Sequence, residues 1–339
     1  MLKERQKNRS IGEGRWLWEA LAEPRGARYS GAKAAVARTP PTGLTLSENA
    51  LVGLYFIQRY RFLTIAQFGR AAGLKPSFSA ELLRSLEGRR FLGYFGNVGM
   101  HGHGKTPKVY YLTRKGYELL RRESDIPDEV LGTFKETFVE AKWSPQTYHR
   151  LYLVDLLIAL EAAVRARENL SLTRTWLEYR RVKLRGRTIR ETTDFVAADE
   201  TPENRIIPDA AFVLENLESG RRGLFFVEMD MGTERIVSRI SRDPRITLHF
   251  KMEQYDRYLQ SGRFAATYRP WGEFGFATVL FVTNSEARVD NIRREMLDLP
   301  AALHPYYRFN TYERAAADFF NDQWKARSPD DDRGYILVR

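Results

Sequence analysis

Along residues 46–122 apolar positions recur first at helical spacing, then in short β-prone runs, then at helical spacing again. Ser47 is a good N-cap for a helix running through Ala50, Leu51, Leu54, Tyr55 and Ile57, because a serine oxygen can accept from an orphan first-turn N–H. Thr64 caps a second, short helix over Ile65, Ala66, Phe68 and Ala71, which Gly73 closes. A third helix follows Pro76–Ser77 and holds Ala80, Leu82, Leu83, Leu86 and the pair Arg89–Arg90. Phe91-Leu92-Gly93-Tyr94-Phe95 and Lys108-Val109-Tyr110-Tyr111-Leu112 flank a glycine- and histidine-rich loop, which is a hairpin signal. Thr113 caps a last helix from Lys115 to Arg122.

Helix, helix, helix, hairpin, helix is the order of a winged helix-turn-helix, whose third helix enters the DNA major groove. Candidate DNA contacts on that helix are Ser79, Arg84, Ser85, Arg89 and Arg90, and the wing offers His101, His103, Lys105 and Lys108. Both sets suit phosphate and base-edge contacts. A winged helix used for protein contact is the competing reading. His101 and His103 have no third ligand beside them in the sequence, so no metal site is assigned to the wing.

Residues 123–146 form a linker with a connecting helix, interrupted by Asp125, Pro127, Asp128 and Pro145. From His149 to Glu168 the pattern is helical, with Leu151, Val154, Ile158 and Ala162 on one face. Three β-prone runs follow, at Leu172–Val182, Ile206–Leu214 and Leu224–Asp230, then a helix around Lys251–Leu259 and a strand at Ala277–Val282. Phe225-Phe226-Val227 is apolar on both faces, as a central strand requires. Strand alternation puts Glu228 and Asp230 on the same side, and Asp209 comes near them if the second run lies alongside. Such carboxylates cannot all ionise cheaply without a compensating cation. Mg²⁺ or Mn²⁺ suits that task, being held by a few carboxylates, waters and phosphate oxygens while it activates water for phosphodiester displacement.

This constellation resembles the PD-(D/E)xK nuclease superfamily, with Pro208-Asp209 and Glu228-x-Asp230 as its first two elements. More narrowly, roughly residues 46–285 are similar to the replication-relaxation family of plasmid and mobile-element proteins, which includes MOBC-type relaxases. The segments that carry the likeness are His149 with Leu153, Trp176 with Glu178, Pro208-Asp209-Ala210, Glu228-x-Asp230-x-Gly232-Thr233-Glu234, and Lys251 with Tyr255. The resemblance implies an α+β protein of two domains, an N-terminal winged helix-turn-helix and a C-terminal restriction-endonuclease-like α/β sheet. It assigns Asp209, Glu228, Asp230 and Lys251 to catalysis, and Asp209, Glu228, Asp230 and Glu178 to a metal. One departure stands out: the superfamily has lysine where this chain has Asp230, and Lys251 can replace it from the following helix. If neither Lys251 nor a metal-bound Asp230 restores the site, the domain only binds DNA. Relaxases of this kind nick origins and can use a tyrosine; Tyr148, Tyr255 and Tyr258 lie nearest the motifs, with ordinary packing as the alternative for each.

Composition adjusts this picture modestly. Of 339 residues 43% are hydrophobic and 13% aromatic, enough for real cores. The net charge of +11 favours a polyanionic partner, although only 12 of the 54 basic residues are lysine, as a GC-rich genome with its abundant arginine codons would also give. Without cysteine the chain has no disulfides, thiolate metal sites or cysteine nucleophile. No apolar run is long enough for a membrane helix, and Met1–Arg9 lacks a signal-peptide core. The expected organisation is a basic arm (1–45), winged helix (46–122), linker (123–146), nuclease-like domain (147–325) and polar tail (326–339). The expected protein is cytoplasmic, associated with nucleoid or plasmid, and acts on double-stranded DNA at a plasmid or mobile-element origin. A metal-dependent nickase leads. A non-catalytic origin-binding or mobilisation factor is the rival, with an RNA-processing nuclease behind both. Winged helices often dimerise on palindromes, which leaves a homodimer open, but no dimer seam is legible.

Overall fold

The helical spacing that begins at Ala50 closes into α1 (Glu48–Tyr60), which buries Val52, Leu54, Phe56, Ile57 and Tyr60. The computed structural model describes residues 46–96, 99–100, 104–136, 141–184, 186–232, 235–237 and 247–337. The basic arm, His101, His103, Thr233 and Glu234 lie outside the described residues. The chain divides into two compact units, Met1–Val154 and Asp155–Arg339.

In the first unit β1 (Leu63–Thr64) leads into α2 (Ile65–Ala72) through a capping box. Gln67 N donates to Thr64 Oγ1 at 3.2 Å and Thr64 N donates to Gln67 Oε1 at 2.9 Å, so two orphan donors are satisfied reciprocally. Gly73 ends α2 in the left-handed region, at φ 65, where a glycine pays no Cβ penalty. Next come α3 (Pro76–Gly88), β2 (Leu92–Phe95), β3 (Gly99–Met100), β4 (Gly104–Lys105), β5 (Val109–Leu112), α4 (Arg114–Glu123) and the short α5 (Asp128–Leu131). Strands β1, β5 and β2 form one antiparallel sheet, with Leu63 opposite Tyr110 and Leu92 opposite Leu112. The winged helix-turn-helix order is therefore met. α3 begins at Pro76 and ends at Gly88, so Arg89 and Arg90 belong to the turn after it and not to the helix.

The unit boundary falls within α6 (Pro145–Arg165). Beyond it run β6 (Leu170–Leu177), β7 (Arg181–Leu184), β8 (Arg187–Arg190), β9 (Asp194–Phe195), β10 (Arg205–Ile206), β11 (Ala210–Asn216) and β12 (Arg222–Asp230). They are followed by α7 (Leu248–Ser261), α8 (Arg263–Tyr268), β13 (Ala277–Thr283), α9 (Glu286–Glu295), β14 (Tyr307–Thr311) and α10 (Tyr312–Ala317). The main sheet has the order β14-β13-β12-β11-β6. β6, β11 and β12 are antiparallel neighbours, whereas β12–β13 and β13–β14 pair in parallel. Parallel neighbours need crossovers, which α7–α8 and α9 supply between those strands.

One sheet face carries Trp176, Ala211, Phe226 and Phe281, packed with Met252, Tyr255 and Tyr258 of α7 and Ile292 of α9. On the other, Phe212 stacks on Phe225 at 4.9 Å and meets Phe319 edge-on at 6.0 Å. Each such aromatic contributes roughly 1.5–3 kcal/mol on burial, which makes this sheet a firm platform for whatever its edges hold.

Three expectations change. The run Leu172–Val182 is not one strand: it breaks after Leu177, and Arg181 starts a separate hairpin with β8. The sequence also offers Tyr306, Tyr307 and Phe309 as a cover for the sheet, whereas Tyr307–Thr311 is its edge strand. The tail is not a free polar segment either, since Arg327 is fully buried. No helix among the described residues is long and apolar enough to cross a membrane.

Candidate functional site

The strand order β6-β11-β12 sets the end of β6, the entry to β11 and the end of β12 side by side. Glu178 N donates to Asp209 O at 3.1 Å and Asp209 N donates to Val227 O at 3.0 Å, so Asp209 sits in the ladder between both neighbours. Its carboxylate Oδ2 accepts from Met229 N at 2.8 Å. Glu228 shares a strand face with Phe226 by alternation, which turns it toward α7. There Tyr255 donates its hydroxyl to Glu228 Oε1 at 2.6 Å and Lys251 Nζ donates to Oε2 at 3.0 Å. Lys251 and Tyr255 are one helical turn apart and therefore present the same side of α7. Thr247 starts that helix, its Oγ1 accepting from Phe250 N at 3.2 Å.

Glu228 is 2% exposed. Burial pushes its carboxyl up to about 7; the Lys251 charge pulls it down, the Asp209 charge pushes it up, and the Tyr255 hydrogen bond lowers it. A glutamate of this kind exchanges its proton near neutrality, which is the range useful to acid–base chemistry. The same burial, together with the Glu228 charge, holds the Tyr255 hydroxyl well above the usual phenol range. That makes Tyr255 a positioning donor and a poor nucleophile. Tyr258 is equally buried, and Tyr148 in the first unit is exposed against the Trp143 ring at 4.7 Å.

Asp230 and Glu178 have different surroundings. Asp230 Oδ1 accepts from Gly232 N at 3.0 Å, and Oδ2 accepts from Arg288 Nε at 2.8 Å. Gly232 has φ 79, and a Cβ there would lie 2.8 Å from Asn284 Nδ2. The acid-x-acid-x-Gly spacing thus builds a turn in which the second acid ties the strand end to α9. Glu178 Oε2 accepts from Arg190 Nη1 at 2.6 Å. Among the described residues, no group of three or more His, Asp or Glu side chains could hold a metal ion. The donor chemistry fits Mg²⁺ or Mn²⁺ only as a two-carboxylate hold by Asp209 and Glu228, whose charges oppose one another. Mg²⁺ is commonly bound by one or two carboxylates, with waters and substrate phosphate completing its shell.

In the first unit the exposed side of α3 consists of Ser77, Phe78, Glu81, Arg84 and Ser85, with Lys75 just ahead of it. Ser79, taken as a DNA contact, faces inward: it is 0% exposed, its hydroxyl donates to Lys75 O at 2.9 Å, and it closes against Gly69 of α2. Lys108, also taken as a DNA contact, is drawn in at the wing's base, where Nζ donates to Glu87 at 2.5 Å and lies 3.7 Å from the Tyr94 ring centroid. Arg84 is exposed and its Nε donates to Ala80 O at 3.1 Å. Arg89 lies over the Phe91 ring at 5.0 Å, and Arg90 takes φ 61 in the following turn. Lys105 belongs to β4. Lys75 and Phe78 were missed, although Ser79, Leu83 and Leu86 buried at helical spacing place Phe78, Glu81 and Ser85 on the outer side.

Fold and site together define a mixed α+β protein with a winged helix-turn-helix order in one unit and, in the other, a five-stranded sheet edged by carboxylates and a lysine. The chain belongs to the replication-relaxation family, whose family model matches residues 54–270, well over half of the sequence. No curated protein matches it. Solved structures with partial likeness include RV1404 from Mycobacterium tuberculosis, at 19% identity over 36% of this chain and 73% of that one, with a TM-score of 0.21. Wild-type ZitR from Lactococcus lactis, solved in complex with DNA, shows 13% identity over 44% of this chain and 90% of that one, with a TM-score of 0.21.

Proposed function

We propose that this protein binds double-stranded DNA through its winged unit and nicks it at the acidic edge of a restriction-endonuclease-like sheet, at a plasmid or mobile-element origin. The observation that carries the reading is the convergence of Asp209, Glu228 and Lys251. Residues from two strands and a helix would have no packing reason to place two carboxylates beside one ammonium. Membership of the replication-relaxation family and the net charge of +11 agree with it.

Asp209 and Glu228 would hold the Mg²⁺ or Mn²⁺, which when bound supplies charge stabilisation and an acidified water for phosphodiester hydrolysis. Lys251, which donates to Glu228 Oε2, would turn to orient the attacking water or the scissile phosphate. Its side chain is 32% exposed, so it can turn without unpacking α7. Tyr255 keeps Glu228 oriented through Oε1. Asp230 stays with Arg288 and maintains the strand end.

Purified protein incubated with supercoiled plasmid carrying its own origin tests this. Mg²⁺- or Mn²⁺-dependent open circles are expected from wild type and none from Glu228→Gln or with EDTA. Supercoiled plasmid that survives intact under every metal condition overturns the nicking reading. One observation favours a second reading, a DNA-binding replication or mobilisation factor without catalysis: Lys251 and Arg288 already neutralise Glu228 and Asp230. Under it, Glu228→Gln leaves plasmid maintenance or transfer unchanged while Arg84→Ala impairs it.

A further inference from the structure

Between β6 and β11 the chain leaves the main sheet and forms a two-stranded ribbon, β7 with β8. Its register sets Arg181 opposite Arg190, Val182 opposite Ile189, Lys183 opposite Thr188 and Leu184 opposite Arg187. Opposed residues share a face, so one side of the ribbon carries Arg181, Lys183 and Arg190 with Thr188. Like charges directly across a strand pair are destabilising, and an isolated two-stranded hairpin is marginal already. Packing therefore gives no reason for the charge.

Part of the ribbon's positive charge is compensated and part is not. Arg190 pairs with Glu178 at 2.6 Å and Arg180 with Glu191 at 3.7 Å. Arg181 makes only a carbonyl contact, Nη1 donating to Glu178 O at 3.3 Å. Arg181, Lys183 and Arg187 are exposed and make no ion pair with any described residue. The base is also fixed to the acidic edge. Glu178 N donates to Asp209 O at 3.1 Å, and Thr192 Oγ1 donates to Pro208 O at 2.6 Å on the return.

We propose that the β7–β8 ribbon is a second DNA contact, a basic finger that grips the phosphate backbone beside the Asp209–Glu228 edge. Backbone phosphates form a regular row of negative charge, and a two-stranded ribbon is narrow enough to follow a DNA groove. With about 3.3 Å of rise per residue, Arg181 and Lys183 offer cations along one side, and Arg187, opposite Leu184, offers one on the other, so a ribbon lying in a groove meets phosphates on both sides. This extends the DNA reading above and rests on it. The finger gives the second unit its own hold on DNA, independent of sequence, so that the winged unit selects the site.

Binding of the full-length protein to a labelled DNA duplex, measured across a series of salt concentrations, tests the finger. Wild type is compared with Arg181→Ser/Lys183→Ser/Arg187→Ser and with Arg181→Lys/Arg187→Lys, each checked for an unchanged unfolding midpoint. Each phosphate contact adds about 0.9 to the slope of log affinity against log salt. The serine variant is therefore expected to lose roughly 2–3 from that slope and at least about tenfold in low-salt affinity, while the lysine variant keeps the wild-type slope. A folded serine variant with wild-type slope and affinity overturns the finger and leaves the DNA reading standing. Failure of wild type to bind the duplex at all overturns the DNA reading, and the finger falls with it.

Discussion

Helix α7 serves two carboxylates with the same three-part chemistry and opposite consequences. On one side Glu228 takes a hydroxyl from Tyr255 at 2.6 Å and an ammonium from Lys251 at 3.0 Å. On the other, Asp256 takes a hydroxyl from Tyr307 at 2.6 Å and a guanidinium from Arg327 through both oxygens, at 2.8 and 2.9 Å. Arg327 is 0% exposed, stacks over the Tyr307 ring at 4.3 Å and also donates to Pro300 O at 2.8 Å. Lys251 donates to one Glu228 oxygen, Oε2, and its side chain is 32% exposed. A planar guanidinium buried in a matched site is a lock, whereas a flexible ammonium at a partly open edge is replaceable. Carboxylate, cation and tyrosine do not by themselves mark a reaction centre. What distinguishes the edge is that its cation is partly exposed and that a second carboxylate, Asp209, stands beside it.

Breaking the lock should have the largest effect. Arg327→Ala leaves Asp256 buried without its counter-charge and is expected to cost about 3–5 kcal/mol in denaturant unfolding. Arg327→Lys should recover only part, because an ammonium lacks the planar group that stacks on Tyr307 and reaches Pro300 O with a second nitrogen. The next effect is a pH dependence carried by Glu228. Burial raises the folded-state Glu228 carboxyl to about 7 from an ordinary 4.5. Its contribution to stability is therefore fully present below the ordinary value and is lost as pH rises through the folded one. Wild type should lose on the order of 3 kcal/mol from this group between about pH 4.5 and pH 8, and Glu228→Gln should lack that component. Asp194, which burial pushes up to about 6, adds a slope of the same sign in both proteins.

Smaller effects sharpen the contrast. Lys251→Met removes the charge that holds Glu228 down, so the pH at which this stability is lost should move upward. The cost in folding stability at neutral pH should be about 1 kcal/mol or less, because the pair is partly exposed. At the surface of the winged unit, Arg84→Ala should change unfolding free energy by no more than about 0.5 kcal/mol. Gel shifts should nevertheless show duplex affinity falling by roughly 1 kcal/mol, several-fold.

Periodicity and cap residues made the helices legible: Thr64 and Thr113 cap α2 and α4 through their side chains, while Ser47 stands at the start of α1 without a side-chain cap bond. Alternation along β12 and an adjacent second strand put Asp209 beside Glu228 on paper, and those strands do pair; Lys251 entered only through the family resemblance, and its contact with Glu228 comes from α7. Other features depend on contacts distant in sequence. Asp230 looked like part of the acid cluster, but its partner Arg288 lies 58 positions away, on a helix with no motif of its own. Polarity marked Ser79 as a surface residue, yet the close approach of α3 to Gly69 needs a small side chain and encloses it. Lys108 was read as a free wing cation because neither Glu87 nor the Tyr94 ring is adjacent to it in the chain. The break at Leu177 was hidden because Arg181-Val182-Lys183-Leu184 continues the strand alternation after the turn.

The most direct test of the difference between the two trios is a pH titration of the protein labelled with ¹³C at its glutamate carboxyls, followed by difference infrared spectroscopy against Glu228→Gln, with and without Mg²⁺. One carboxyl, absent from the variant, is expected to titrate near pH 7 and to ionise at lower pH when Mg²⁺ is present. A Glu228 signal that stays ionised down to the ordinary glutamate range and ignores Mg²⁺ would contradict an openable, metal-accepting edge and make this trio a second lock.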